Sequence, residues 1–266
     1  MRIKVLAFAA SLVLISNCLA GIPQSPTTAS STQAASLLAQ SAKALTGSTV
    51  VNDVTLTGTA ERIAGSDDET GTVTYKAILG SSRLDLSLSN GTRSEIRAPG
   101  PNGATGNWIG PDGTVHEIPQ HNLLTDTGWF PIFTFTNSMS ATNGMLTYVG
   151  QETKNGVSVI HISYSQQFPN LPAASVAVLW QHCTRLDIYL NASTLLPVAL
   201  DFNTHPDDNE ALDIPVEFLF SDYRSVGSLT VPFHVQEHLN GSLFLDVQFQ
   251  TIATNSGLPS SVFAIQ

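Results

Sequence analysis

The chain has few charged residues and no concentration of positive charge. Only 12% of its 266 residues are charged, against about 25% in a typical globular protein. Acidic side chains outnumber basic ones, the formal net charge is -10, and no basic run of any length occurs. A surface of this kind repels phosphates, which disfavours nucleic acids and anionic lipid surfaces as partners.

Cysteines and long apolar runs are equally scarce. The only apolar run of note covers residues 5–15, after Arg2 and Lys4 and before the small residues that end at Ala20. This order predicts a secretory signal peptide over residues 1–20, cleaved after Ala20, with no transmembrane segment in the mature chain and a periplasmic or extracellular location. The alternative is cleavage before Cys18, which would then be lipid-anchored. With cleavage after Ala20, Cys183 is the remaining cysteine, so no intramolecular disulfide can form.

The mature chain begins with a polar segment and one helix. Residues 21–32 are rich in proline, serine and threonine and predict a disordered spacer. Residues 36–45 place leucines and alanines along one stripe and are followed by Gly47, which predicts a short helix. Residues 33–266 are expected to form a single domain.

From residue 54 onward the sequence alternates apolar and polar residues in short runs separated by turn signals. Asn-Gly pairs at 90–91, 155–156 and 240–241 predict hairpins. About a dozen strands are predicted, at 54–62, 72–79, 83–88, 92–97, two within 106–118, 145–149, 157–164, 185–191, 196–203, and a final meander over 217–250. Trp108 and Val115 are predicted to face inward. The pattern favours an antiparallel barrel or sandwich over alternating strands and helices.

Two irregular stretches interrupt the strands. Residues 121–135 gather apolar side chains around Pro131, which predicts a short helix or loop that packs over an apolar surface. Residues 168–180 have no clear assignment. The acidic runs at 65–70 and 204–213 are expected to be solvated turns, with calcium binding as the alternative.

The catalytic motifs give little support for an enzyme. No nucleophile elbow, phosphate-binding loop or dinucleotide fingerprint follows a strand, so no catalytic residue and no cofactor is predicted.

His234, Glu237 and His238 fit a zinc-hydrolase spacing, but the segment is predicted to be a strand. Four strand residues would separate the two histidines by about 13 Å, too far to share a metal, so a metal-dependent hydrolase is the least favoured alternative and no metal site is predicted. The three residues are instead expected to alternate on a strand surface. The remaining histidines are scattered, and Cys183, placed beside His182 on a strand, is expected to be a small buried residue rather than a nucleophile.

The closing part of the chain supplies a family resemblance. The segments from Ser221 to Arg224, from Val231 to Phe233 and from Asn255 to Phe263 follow one another as a strand, a Val-Pro-Phe strand and an Asn-x-Gly strand end. Upstream, a strand from Asp187 leads to Thr194 and Pro197. This order resembles the carboxy-terminal half of the outer-membrane lipoprotein carriers (LolA/LolB-like) and their secreted relatives.

The resemblance implies a mainly β fold, an incomplete antiparallel barrel of about a dozen strands with an N-terminal helix packed on it. Its apolar concave face would bind lipid, and no arginine aligns with the one that holds the carrier closed. The implied ligand face and lid comprise Leu84, Leu86, Leu88, Trp108, Trp129, Phe130, Ile132 and Phe133, which could equally form a packed core. The expected function is therefore that of a secreted, non-enzymatic protein that binds a lipid or other apolar ligand. The alternative is an envelope or extracellular interaction module with a filled core.

Overall fold

A computed structural model describes residues 28–101, 103–171 and 173–265. The predicted signal peptide and residues 21–27 of the predicted spacer lie outside this part of the chain. The described residues contain three α-helices: α1 Thr28–Thr46, α2 Pro131–Ser140 and α3 Ala174–Cys183. They also contain two 3₁₀ turns, at Gln120–Leu123 and Ser260–Phe263. None of these helices is both long enough and apolar enough to cross a bilayer.

Thirteen antiparallel strands form one sheet, which confirms the predicted fold class. The strands are β1 Asp53–Ala64, β2 Asp67–Ile78, β3 Ser81–Leu88, β4 Gly91–Gly100, β5 Gly103–Ile109, β6 Val115–Glu117, β7 Gly144–Lys154, β8 Val157–Gln166, β9 Leu186–Asn191, β10 Pro197–Thr204, β11 Ile214–Val226, β12 Leu229–Leu239 and β13 Ser242–Thr254. Asn155 and Asn240 have φ of 51°, and the glycine after each is also left-handed, as a tight hairpin turn requires.

The topology explains why one segment must cross the sheet. The spatial order is β6-β5-β4-β3-β2-β1-β13-β12-β11-β10-β9-β8-β7, so β6 and β7 are the two edges and the sheet does not close. Although β6 and β7 are consecutive in the chain, they lie at opposite ends of the sheet. Residues 118–143, here called the bridging segment, therefore run across the concave face from one edge to the other.

Two glycines allow the central strands to lie unusually close together. A Cβ on Gly71 would be 1.9 Å from the carbonyl oxygen of Ser87 on β3. A Cβ on Gly58 would be 2.0 Å from the carbonyl oxygen of Gln248 on β13, next to a register shift. Glycine kinks and bulges of this kind give a sheet local curvature, which is what an incomplete barrel needs.

Helix α1 is longer than predicted. It buries Ala34, Leu38, Ser41 and Leu45 and packs against β7, β12 and α2. It begins at Thr28, so residues 28–32, predicted as disordered spacer, are helical. The reason is a tertiary contact, since the Ser30 hydroxyl donates to the carbonyl oxygen of Tyr148 on β7 and accepts from the Tyr148 N–H, both at 3.1 Å.

Three local predictions are wrong. The unassigned stretch contains α3, so His182 and Cys183 lie at the end of a helix and not on a strand. The acidic run at 65–70 is largely the start of β2, in which Glu69 is buried between two arginines. Val115 is 44% exposed instead of inward, because β6 is a three-residue edge strand.

Cys183 itself is buried, as expected. Burial raises the pKa of its thiol, and the nearby carboxylates of Glu210 and Asp213 raise it further. A thiol in this environment stays protonated and is a poor nucleophile.

Candidate ligand-binding cavity

Much of the concave face is filled by the bridging segment. Pro131 at the first turn of α2 starts a helix whose apolar residues are buried nearly all round. Phe130, Ile132 and Phe133, predicted as lid residues, are buried in the main core cluster, and so is Leu88 of β3. The Phe130 and Phe133 rings meet edge to face at 5.1 Å. These four side chains contribute to a packed core in this conformation.

The other four predicted ligand residues line a cavity of about 300 Å³. Leu84 and Leu86 belong to β3, Trp108 to β5 and Trp129 to the bridging segment. The wall is completed on its apolar side by Ile109, Phe202, Val216, Phe218, Leu239 and Phe244. Trp129 contacts Phe218 edge to face at 4.9 Å, which fixes the inner end of this wall. Four of the predicted residues thus line the cavity, and two of these, Leu86 and Trp129, also belong to the main core cluster.

Trp108 occupies the rim of the cavity. Trp108 lines the cavity but is 44% exposed, so it is less enclosed than the inward position predicted from the alternation. Its ring stacks on His116 of β6 at 3.9 Å with an interplanar angle of 11°. An indole held flat against an edge strand offers an apolar face to anything that enters the cavity.

Charged side chains form the other wall of the cavity, and sequence reasoning did not identify them. Arg62, Arg93, Glu95, Arg97 and Glu237 all line it. The fully buried Glu69 carboxylate holds two of the arginines, with Arg93 Nη1 at 2.6 Å and Arg62 Nη1 at 3.2 Å.

Strand parity could have found part of this wall. Arg93, Glu95 and Arg97 alternate along β4, so they share one face of that strand.

Arg97 joins the cavity wall to the bridging segment. Its Nε lies 2.6 Å from the Glu95 carboxylate, and its Nη1 donates to the carbonyl oxygens of Asn122 and Thr125, both at 3.0 Å. One guanidinium thus satisfies two main-chain acceptors that would otherwise lose partners near the interior. Arg97 thereby ties β4 to the bridging segment.

Glu237 faces the cavity, and its predicted position on the strand surface is wrong. Its register partners are Phe218 on β11 and Leu245 on β13, both buried on the concave side. Burial, and to a smaller extent the Glu95 carboxylate, raise the pKa of Glu237 to about 8 against the opposing effect of Arg97. At neutral pH this carboxyl is therefore mainly protonated and can donate a hydrogen bond into the cavity.

The histidines of the zinc-like motif lie on a strand, as predicted. His234 points to the opposite face, where its Nδ1 lies 3.0 Å from the Ser221 hydroxyl and its Nε2 lies 3.0 Å from both Asp246 oxygens. His238 pairs in register with Glu217 and Leu243. Both ring nitrogens of His234 therefore already have partners on the neighbouring strands, Ser221 on β11 and Asp246 on β13.

Comparisons with known proteins place the fold. No family model matches the sequence, and no curated protein matches it. A DUF1329 family protein from Desulfovibrio piger has a TM-score of 0.55 at 9% identity, over 88% of this chain and 97% of that one. A lipoprotein-sorting protein domain from Vibrio parahaemolyticus has a TM-score of 0.53 at 12% identity, over 88% of this chain and 97% of that one. A LolA superfamily protein from Nitrosomonas europaea has a TM-score of 0.52 at 8% identity, over 87% of this chain and 97% of that one. The predicted LolA/LolB-like fold is thereby confirmed.

Proposed function

We propose that this protein is a secreted, non-enzymatic carrier that binds one amphipathic ligand, an apolar chain with an anionic head, in the cavity. The observation that supports this proposal is the division of the cavity into an apolar wall and an arginine-containing wall. The similarity in fold to a lipoprotein-sorting domain and a LolA superfamily protein agrees with it. The predicted signal peptide supports a periplasmic or extracellular location.

The apolar wall provides the binding energy. Each CH₂ group that leaves water contributes about 0.8 kcal/mol. A cavity of about 150 Å³ is enough to hold benzene, so the cavity of about 300 Å³ would take a short chain or the first part of a longer one. A full-length acyl chain would require the bridging segment to move away from the sheet, which would break the Arg97 contacts with Asn122 and Thr125.

The polar wall sets the preference for charge. By formal charge, the three arginines Arg62, Arg93 and Arg97 outnumber the two carboxylates paired with them, those of Glu69 and Glu95. The raised pKa of Glu237 keeps that carboxyl mainly protonated at neutral pH. The wall therefore carries one excess positive charge. Arginine binds carboxylate and phosphate groups through paired hydrogen bonds, and a protonated Glu237 adds a further donor.

A titration with a dansylated fatty acid would test the proposal. We expect dansyl fluorescence to increase and shift to the blue as the chain enters the cavity. A Leu84→Trp variant would fill the cavity and should weaken binding at least about tenfold, which is the loss of about two buried CH₂ groups. The matched control is Leu79→Trp, which adds the same side chain at an exposed position outside the cavity.

Two results would contradict the proposal. The first is equal binding by the Leu84→Trp and Leu79→Trp variants, which would place the probe elsewhere. The second is an absence of lipid in native mass spectra after gentle purification together with no mass shift on adding acyl compounds. A dansylated alcohol of the same chain length should bind more weakly than the acid if the arginine wall recognises the head group.

One observation favours a second candidate function, an envelope or extracellular interaction module. Helix α3 is strongly apolar but buries little of its surface. Val176 and Val178 are 40% and 66% exposed, although Phe168 and Trp180 of the same region contact each other edge to face at 5.6 Å. An exposed apolar helix is typical of a protein contact surface. The failure of every acyl ligand to bind would favour this function.

A further inference from the structure

Three side chains that are far apart in the sequence meet at the end of the sheet where β10 and β11 connect. His182 lies in the last turn of α3, His205 follows β10, and Asp213 precedes β11. One ligand atom from each residue lies within 4.8 Å of those of the other two. Asp213 Oδ1 is 2.7 Å from His182 Nε2 and 3.3 Å from His205 Nε2.

His205 points to a missing ligand at this cluster. Its side chain is 0% exposed. Across residues 28–101, 103–171 and 173–265, neither of its ring nitrogens has a hydrogen-bond partner. Nε2 lies 3.3 Å from Asp213 Oδ1, an ion-pair contact that leaves the ring without a well-formed hydrogen bond. Buried polar groups are normally satisfied, so an unpartnered buried imidazole beside a second histidine and a carboxylate calls for an explanation.

We propose that His182, His205 and Asp213 bind a divalent transition-metal ion of the zinc class. A set of two imidazoles and one carboxylate binds zinc, copper or nickel in preference to magnesium or calcium, which favour oxygen ligands alone. Ligand atoms at about 2.0–2.1 Å from one ion lie within about 4 Å of one another. The two distances to Asp213 Oδ1 already meet that limit.

Small rotations would complete the site. The His182 and Asp213 side chains are both 40% exposed, so they can turn toward the ion without repacking the core. Their exposure also gives the ion a path from solvent and leaves a coordination position for water. His121 is not part of this cluster, and its Nε2 lies 3.2 Å from the Pro206 carbonyl oxygen.

Metal binding would also stabilise the bridging segment. Asn122 of that segment donates to the His205 carbonyl oxygen at 2.8 Å, and its own side-chain oxygen accepts from the His205 N–H at 2.9 Å. An ion on His205 and Asp213 would fix both ends of the loop between β10 and β11 against α3. The anchor of the bridging segment would then be more rigid with metal than without it.

A chelator-competition titration on the tag-free, metal-stripped protein would test the proposal. Zinc should bind at one equivalent per chain. The His182→Ala and Asp213→Asn variants should each weaken binding at least about tenfold, since loss even of groups that only support metal ligands typically weakens affinity by 10–100-fold. Both positions are half-exposed, so these variants should fold. The control is His116→Ala, which removes an exposed histidine outside the cluster.

Melting temperature provides a second readout. Zinc should raise the melting temperature of the wild type and of the His116→Ala variant, and calcium or magnesium at the same concentration should not. Neither the His182→Ala nor the Asp213→Asn variant should respond to zinc to the same degree. Zinc affinity and melting shift that are unchanged in both variants would overturn the proposal, and so would an absence of stoichiometric zinc binding to the wild type.

Discussion

Replacement of Glu237 by glutamine should make the protein more stable, and increasingly so as pH rises. Glutamine has the shape of a protonated glutamic acid and cannot ionise. In the wild type, burial beside Glu95 raises the pKa of Glu237 to about 8 from its ordinary value of 4.5. The folded state therefore retains a proton that the unfolded chain releases. The stability that this proton contributes is fully present below pH 4.5 and is lost as pH rises to about 8.

The size of the effect follows from the proton linkage. For each pH unit between the two pKa values, the free energy of unfolding of the wild type falls by about 1.4 kcal/mol, and that of the variant does not. Between about pH 5 and about pH 7, the stability of the Glu237→Gln variant should rise relative to wild type by about 2 to 3 kcal/mol. The lower end of the range allows for partial hydration of the carboxyl, which lines an open cavity.

Urea unfolding followed by tryptophan fluorescence at several pH values would measure this difference. Titrating groups that do not interact with Glu237 affect both proteins equally, so the pH dependence of the difference reports on Glu237 and the neighbours coupled to it. The matched control is Glu61→Gln, which changes an exposed glutamate on β1. A difference between wild type and the Glu237→Gln variant that stays constant over this pH range would refute the reasoning, because Glu237 would then ionise like an exposed glutamate.

Three further predictions follow from single contacts. Arg97→Met should lower the free energy of unfolding by about 1–3 kcal/mol, because the carbonyl oxygens of Asn122 and Thr125 lose their donor. Amide hydrogen exchange around these two residues should become faster, and unchanged exchange would contradict this role. Gly71→Ala should cost at least about 1–3 kcal/mol in thermal unfolding, because the new Cβ would lie 1.9 Å from a backbone oxygen; an equal melting temperature would show that the strands can separate freely. Cys183 should react with iodoacetamide much faster after unfolding than before, given its burial and raised thiol pKa, and rapid native labelling would contradict that burial.

Local sequence patterns were enough to predict most of the strands and the hairpins that join them. A period of two depends only on neighbouring residues, and Asn-Gly turns fix hairpins without long-range contacts. Glu237 has the same parity as Phe233 and Val235, so strand alternation alone would have put it on the inward face. The prediction that it lies at the surface was wrong because residue type was given more weight than position.

Contacts between residues that are distant in the sequence could not be predicted from such local patterns. Arg97 meets the bridging segment because the chain must cross from β6 to β7, and that crossing exists only because β1 pairs with β13. His182 and Asp213 are 31 residues apart, and they meet because α3 packs beside the connection between β10 and β11.

The sequence by itself therefore determined the class of fold, most of the strands along the chain and the apolar residues available to the interior. Only the tertiary structure decided which of those residues line a cavity and which fill a core. Leu84 and Leu88 illustrate this division, since they have the same residue type and the same strand parity. Leu84 borders the cavity, whereas Leu88 does not line it and lies in the main core cluster. That difference depends on which distant elements pack beside each leucine, which no local period encodes.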